Sequence, residues 1–154
     1  MADHLQQQIL DYVKNTLTAA ATAAAGNVFL DRVDELMQVD LPAIHIEGGD
    51  EEANLDSLDF PTVSRRTYNF TVCCICGQAS GAAKAARNLA GQVESALLAS
   101  TTTFTAGGAA GSLGLFGSVE SKDANASVAL FEVRQNWQAS YATFSGAPDT
   151  NIYS

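Results

Sequence analysis

The run from Val128 to Thr143 constrains this chain more than any other stretch. Its odd positions give Phe131, Val133, Trp137, Ala139 and Tyr141, and its even positions give Glu132, Arg134, Asn136, Gln138 and Ser140. A period of two puts the first set on one face of a strand and the second on the other, so one side is core. Each large apolar side chain buried there contributes about 1.5–3 kcal/mol, which makes this strand a main source of stability. The run also far exceeds the usual strand of about five or six residues. Part of it is therefore expected to leave the domain body and pair with a neighbouring chain.

The same alternation occurs over 65–76, where Tyr68, Phe70, Val72, Cys74 and Cys76 share a face and Thr67, Asn69 and Thr71 take the other. Two helical stripes accompany these strands. Over residues 4–24, Leu5, Ile9, Tyr12, Val13, Leu17, Ala20 and Ala24 recur at steps of three and four, with Asp3 and Gln6 as a capping pair and Gly26 as the stop. From Ala82, the residues Ala86, Leu89, Ala90, Val93 and Leu97 line a second helix that Ser80 caps and that ends near Ser100. Short extended pieces fall at Val28 to Leu30 and Ala43 to Glu47, with Pro42 at an entry position, and a further strand runs from Leu115 to Ser121 before turn residues Lys122 to Asn125.

Two stretches read as loops. Residues 47–59 are acid-rich and aperiodic, so an exposed acidic loop is expected, in which Glu51→Ala changes stability by less than about 0.5 kcal/mol. Residues 100–118 are Ser, Thr, Ala and Gly, including Gly107, Gly108, Gly111, Gly114 and Gly117, and such a segment is costly to order. The whole, residues 1–154, is expected to be a single domain of the α+β class: an antiparallel or mixed sheet flanked by two main helices, with a long C-terminal strand.

The formal charge is −9, from 17 acidic and 8 basic side chains, and such a field repels phosphate backbones. No apolar run approaches the length of about 18 residues that a membrane helix needs, and the segment from Met1 to Gln8 lacks the character of a signal peptide, so synthesis in a bacterial-type cytosol is expected. The three cysteines, Cys73, Cys74 and Cys76, are spaced too tightly for an ordinary disulfide framework and are read as reduced. On a strand Cys73 points away from the other two, and neither His4 nor His45 stands at ligand spacing, so no metal or other cofactor is expected. No Gly-x-Ser-x-Gly elbow is present, and Gly107 to Gly111 lacks a Gly-Lys-Ser/Thr ending, which argues against an enzyme.

The order helix, short strands, acidic stretch, strand, helix, Gly-rich stretch, strand, long strand resembles the tail terminator family of long-tailed bacteriophages, the lambda-type minor tail proteins. The resemblance lies in the opening helix around Leu5 to Leu17, in Leu41-Pro42-Ala43-Ile44-His45-Ile46, in Arg66-Thr67-Tyr68-Asn69-Phe70-Thr71-Val72, in the spacing Ala86, Leu89, Val93, Leu97, and in Phe131-Glu132-Val133. It implies a homo-hexameric ring at the head-proximal end of the virion tail, made in the host cytoplasm. Such a ring caps the tail tube protein, stops its polymerisation and presents a surface to the head-completion or connector protein, while DNA passes through the lumen without specific binding. The alternatives are a head-to-tail connector or tail completion protein of related fold and, further off, a cysteine-dependent metalloprotein or small enzyme.

Within that picture Arg65, Arg66 and Arg134 are candidates for pairing with a neighbour's acids, and Trp137 is either a core anchor or an interface anchor. Glu47, Asp50, Glu51, Glu52, Asp56 and Asp59 are candidates for the lumen, against the alternative of a simply solvated loop.

Overall fold

A computed structural model of the chain describes residues 3–33, 36, 40–57, 62–77, 81–99, 103–106, 109–123, 130–144 and 146–152. The elements are α1 (Leu5–Ala19), β1 (Val28–Leu30), β2 (Ala43–Ser57), β3 (Val63–Gly77), α2 (Ala82–Leu97), β4 (Thr103–Ala106), β5 (Ala109–Asp123) and β6 (Leu130–Phe144). The six strands make one sheet in the order β1-β2-β3-β6-β5-β4. β1 runs parallel to β2 and every other pairing is antiparallel, so the sheet is mixed and the class is α+β, as the sequence implies.

The alternation in β3 and β6 reads out as expected. Phe70 sits opposite Trp137 on the helix-bearing face, with ring centroids 6.4 Å apart and planes 13° from parallel. Leu5, Ile9, Val13 and Leu17 of α1 and Ala86, Leu89 and Val93 of α2 pack onto that face together with Ile44 and Ile46 of β2. Polar residues interrupt it, Gln135 among them. Gln135 is buried, yet its amide donates to the Ala90 carbonyl at 3.0 Å and accepts from Trp137 Nε1 at 3.2 Å, so both ends are satisfied in the core.

β6 does not leave the domain body. It is paired with β3 from Phe144 opposite Val63 to Leu130 opposite Gly77, and with β5 from Ser140 opposite Ser112 to Leu130 opposite Asp123. Its length is matched within the sheet, since β2, β3 and β5 also span 15 residues each, and the backbone groups of a long strand are satisfied by long neighbours.

Both stretches read as loops are largely strands. β2 continues through the acidic segment to Ser57, with an irregularity between Gly48 and Glu51 that shifts the side-chain phase and hides the alternation. Gly49 is required there, because a Cβ would come within 2.7 Å of the Asn69 carbonyl oxygen. The Gly-rich segment supplies β4 and most of β5, and pairing with β6 offsets the entropy its glycines lose. Gly107 and Gly108 lie outside the described residues, as do Ala124 and Asn125 of the expected turn, whereas Lys122 and Asp123 close β5.

The helix ends also differ from expectation. α1 stops at Ala19 rather than at 24, and Ala21 and Ala25 take left-handed backbone angles (φ 50° and 51°) in place of the expected glycine stop at 26. Alanine offers too little side-chain area to hold a final turn against the sheet. The cap is His4, whose Nδ1 accepts from the Gln6 amide at 3.1 Å, and not Asp3. α2 follows Gly81, at φ 86°, without a side-chain cap, and ends at Leu97; Ser80 lies outside the described residues.

Candidate interaction surfaces

One carboxylate ties four elements together on the helix-bearing face. Glu51 of β2 accepts from the Tyr141 hydroxyl of β6 in a short hydrogen bond, from Gln6 Nε2 of α1 at 2.8 Å, and from Arg66 Nη1 of β3 at 2.9 Å. The Glu51 and Arg66 side chains are only 13 % and 21 % exposed. Burial pushes the Glu51 carboxyl upward, but the hydrogen bonds from Tyr141, Gln6 and Arg66 and the Arg66 charge outweigh it, and the group sits below its ordinary value. The Tyr141 hydroxyl is raised, first by burial and then by the Glu51 carboxylate. The cluster fixes the start of α1 over the β2–β3 hairpin.

Among the described residues the opposite face of the sheet carries no helix. Across its middle run Glu47, Thr71 and Asn136, and beside them Asn69 and Gln138. The irregularity in β5 between Leu115 and Gly117 expels Phe116, which is 67 % exposed, and Val119 also stands out on this strand. Phe116, Gly49, Asp50, Asn69, Asn136 and Gln138 enclose a hollow of about 300 Å³. Neutral amides, the Phe116 ring and the Asp50 carboxylate line it, and that lining offers a phosphate no positive charge.

The sequence candidates separate between these two faces. Arg66 spends its charge on Glu51 within the chain, and Arg134 contacts Glu132 at 3.3 Å and Glu47 at 3.4 Å. Glu47 also meets His45 Nδ1 at 3.3 Å. Arg65 is exposed on β3 opposite Asn54, Glu52 is exposed opposite Thr67, and Asp50 borders the hollow. Trp137 is 1 % exposed and belongs to the core. Asp56 lies in β2 and Asp59 lies outside the described residues. Sequence reasoning misses Gln6 as a partner of Glu51, and it misses Phe116 and Leu55 as exposed apolar groups. The signal for Phe116 is a bulky ring among glycines, where no alternation accounts for it.

The three thiols are free and buried. Burial raises all three, and Cys74 is pushed up to about 12. They are neutral, unreactive core groups at neutral pH. Among the described residues no three of His, Cys, Asp and Glu gather as a metal site, and no helix is long and apolar enough to cross a membrane.

No protein-family model and no curated protein matches the chain. Its fold is similar to that of a chain in the virion of a native gene transfer agent particle, with a TM-score of 0.56 and 17 % identity over 90 % of this chain and 98 % of that one. At that identity the likeness is one of fold.

Proposed function

We propose that this chain is a non-catalytic structural subunit of a phage-like virion, and specifically a tail terminator: a one-domain protomer of a hexameric ring that caps the tail tube, ends its growth and receives the head-completion protein. The observation that carries this reading is the fold itself, which follows almost the full length of a virion chain. The order of elements along the sequence adds separate support, because it resembles that of the terminator family. The formal charge of −9 supports the reading too, since an acidic ring lets a DNA duplex pass without adhering. Screening limits that repulsion to about 8 Å at physiological salt, so it acts where the channel is narrow.

Electron microscopy of particles assembled without the protein tests the assignment. Overlong tails are the expected result. Tails of normal length beside unjoined heads would instead assign it as a head-to-tail connector or completion protein.

A further inference from the structure

We infer that His45 is a pH-sensitive latch: in its neutral form it holds the chain that follows β1 against the sheet face opposite the helices, and on protonation it releases that chain and turns to Glu47. The latch does not depend on the ring reading above.

Two contacts fix the state of the imidazole. Its Nε2 accepts from the Arg32 backbone N–H at 3.1 Å, and its Nδ1 lies 3.3 Å from Glu47 Oε1. A nitrogen that accepts carries no proton, and the nitrogen beside the carboxylate is the one that donates, so the ring is neutral with its proton on Nδ1. A second proton can go only to Nε2. There it takes up the lone pair, and the Arg32 N–H is left facing another N–H. The imidazolium keeps Glu47 as a partner and now bears the opposite charge, so protonation trades the Arg32 contact for an ion pair.

The place of the contact gives it a consequence. β1 lies at the sheet edge with Phe29 beside His45, and Asp31 turns the chain at φ 50° once its amide has bonded the Ile46 carbonyl at 2.9 Å. His45 shares its face of the sheet with Cys73, its partner in β3, so the Arg32 contact draws the chain onto that face. Val33 follows at 95 % exposure and adds no apolar hold. The Arg32 side chain adds two holds, lying 4.4 Å over the Phe29 ring and 3.1 Å from Asp40.

Charges of both signs surround the ring. Glu47 on β2, Asp31 after β1 and Glu132 on β6 favour the imidazolium. Arg32 opposes it, as does Arg134 of β6, which meets Glu47 at 3.4 Å and Glu132 at 3.3 Å, while the Cys73 thiol of β3 is buried and neutral. These charges set where the titration falls, and the geometry sets which form of the ring holds Arg32.

Hydrogen exchange of the Arg32 amide, followed by NMR on the full chain and referred to an unstructured chain at the same pH, tests the latch. From about pH 8 to about pH 5, the span in which imidazoles take up a proton, its protection should fall at least about tenfold. The Ile44 amide, which donates to the Asn27 carbonyl at 2.9 Å on the same edge, should keep its protection. His45→Gln offers Arg32 an acceptor and Glu47 a donor without titrating, so in this variant the protection of the Arg32 amide should not change across the span. Unchanged protection of that amide in the parent would overturn the latch. So would an equal fall in His45→Gln, which would assign the change to a carboxylate, or a joint fall of Arg32 and Ile44, which would assign it to loosening of the whole edge.

Discussion

The Tyr141 hydroxyl donates a short hydrogen bond to the Glu51 carboxylate across 90 residues of sequence, and Arg66 and Gln6 close on the same group. The carboxylate thereby holds the start of α1, the hairpin and the central strand in fixed relation. Removing it leaves Arg66 half-buried with its opposite charge gone.

Glu51→Ala is therefore expected to destabilise the protein by about 1–3 kcal/mol, contrary to the near-neutral effect that an exposed loop residue would show. Tyr141→Phe removes one donor and should cost about 1 kcal/mol. Urea unfolding followed by tryptophan fluorescence measures both. A loss below about 0.5 kcal/mol for Glu51→Ala would mean that the cluster is solvated in solution.

The same carboxylate predicts a direction with pH. Its folded value lies below the ordinary 4.5, so the stability it contributes is fully present above that value. That stability falls away as the pH drops through the lower, folded value. Melting temperature measured downward from pH 6 should decline more gently in Glu51→Gln than in the parent, and parallel curves would contradict the assignment.

Trp137 and Phe116 are both large aromatics, but they should behave oppositely. Trp137→Ala opens a cavity beside Phe70 and should cost about 3–5 kcal/mol. Phe116→Ala removes an exposed ring and should leave the monomer within about 0.5 kcal/mol of the parent. Thermal melts at low protein concentration separate the two.

The thiols give a simple chemical check. With Cys74 pushed up to about 12 and all three groups buried, alkylation by iodoacetamide at pH 8 should be negligible in the native protein and complete for three thiols in denaturant. Fast labelling of any one cysteine in the native state would place it at the surface.

Much of the fold is legible wherever a repeat keeps its phase. β3, β6 and the stripes of α1 and α2 are readable because Tyr68, Phe70 and Val72, or Leu5, Ile9 and Val13, mark one face without interruption. β2 beyond Glu47 is not, because the shift between Gly48 and Glu51 puts Glu51 on the apolar side, where a carboxylate looks misplaced until Arg66, Tyr141 and Gln6 are beside it. β4 and the start of β5 are hidden for another reason: their stability comes from long-range pairing, ultimately onto β6, which composition does not report. The candidate surfaces are legible only in part. Charge alone singles out Asp50 and Arg65, but the hollow depends on where Phe116 emerges from the sheet.

The placement of β6 also bears on how the molecule is made. Although it follows every other strand in sequence, it lies between β3 and β5. As the polypeptide leaves the ribosome, the β2–β3 and β4–β5 hairpins can each form, but each keeps an open inner edge until Leu130 to Phe144 emerges and slots between them. Folding of this sheet is thus expected to finish as a single late closure, and nascent chains arrested before Leu130 should be the ones that chaperones hold.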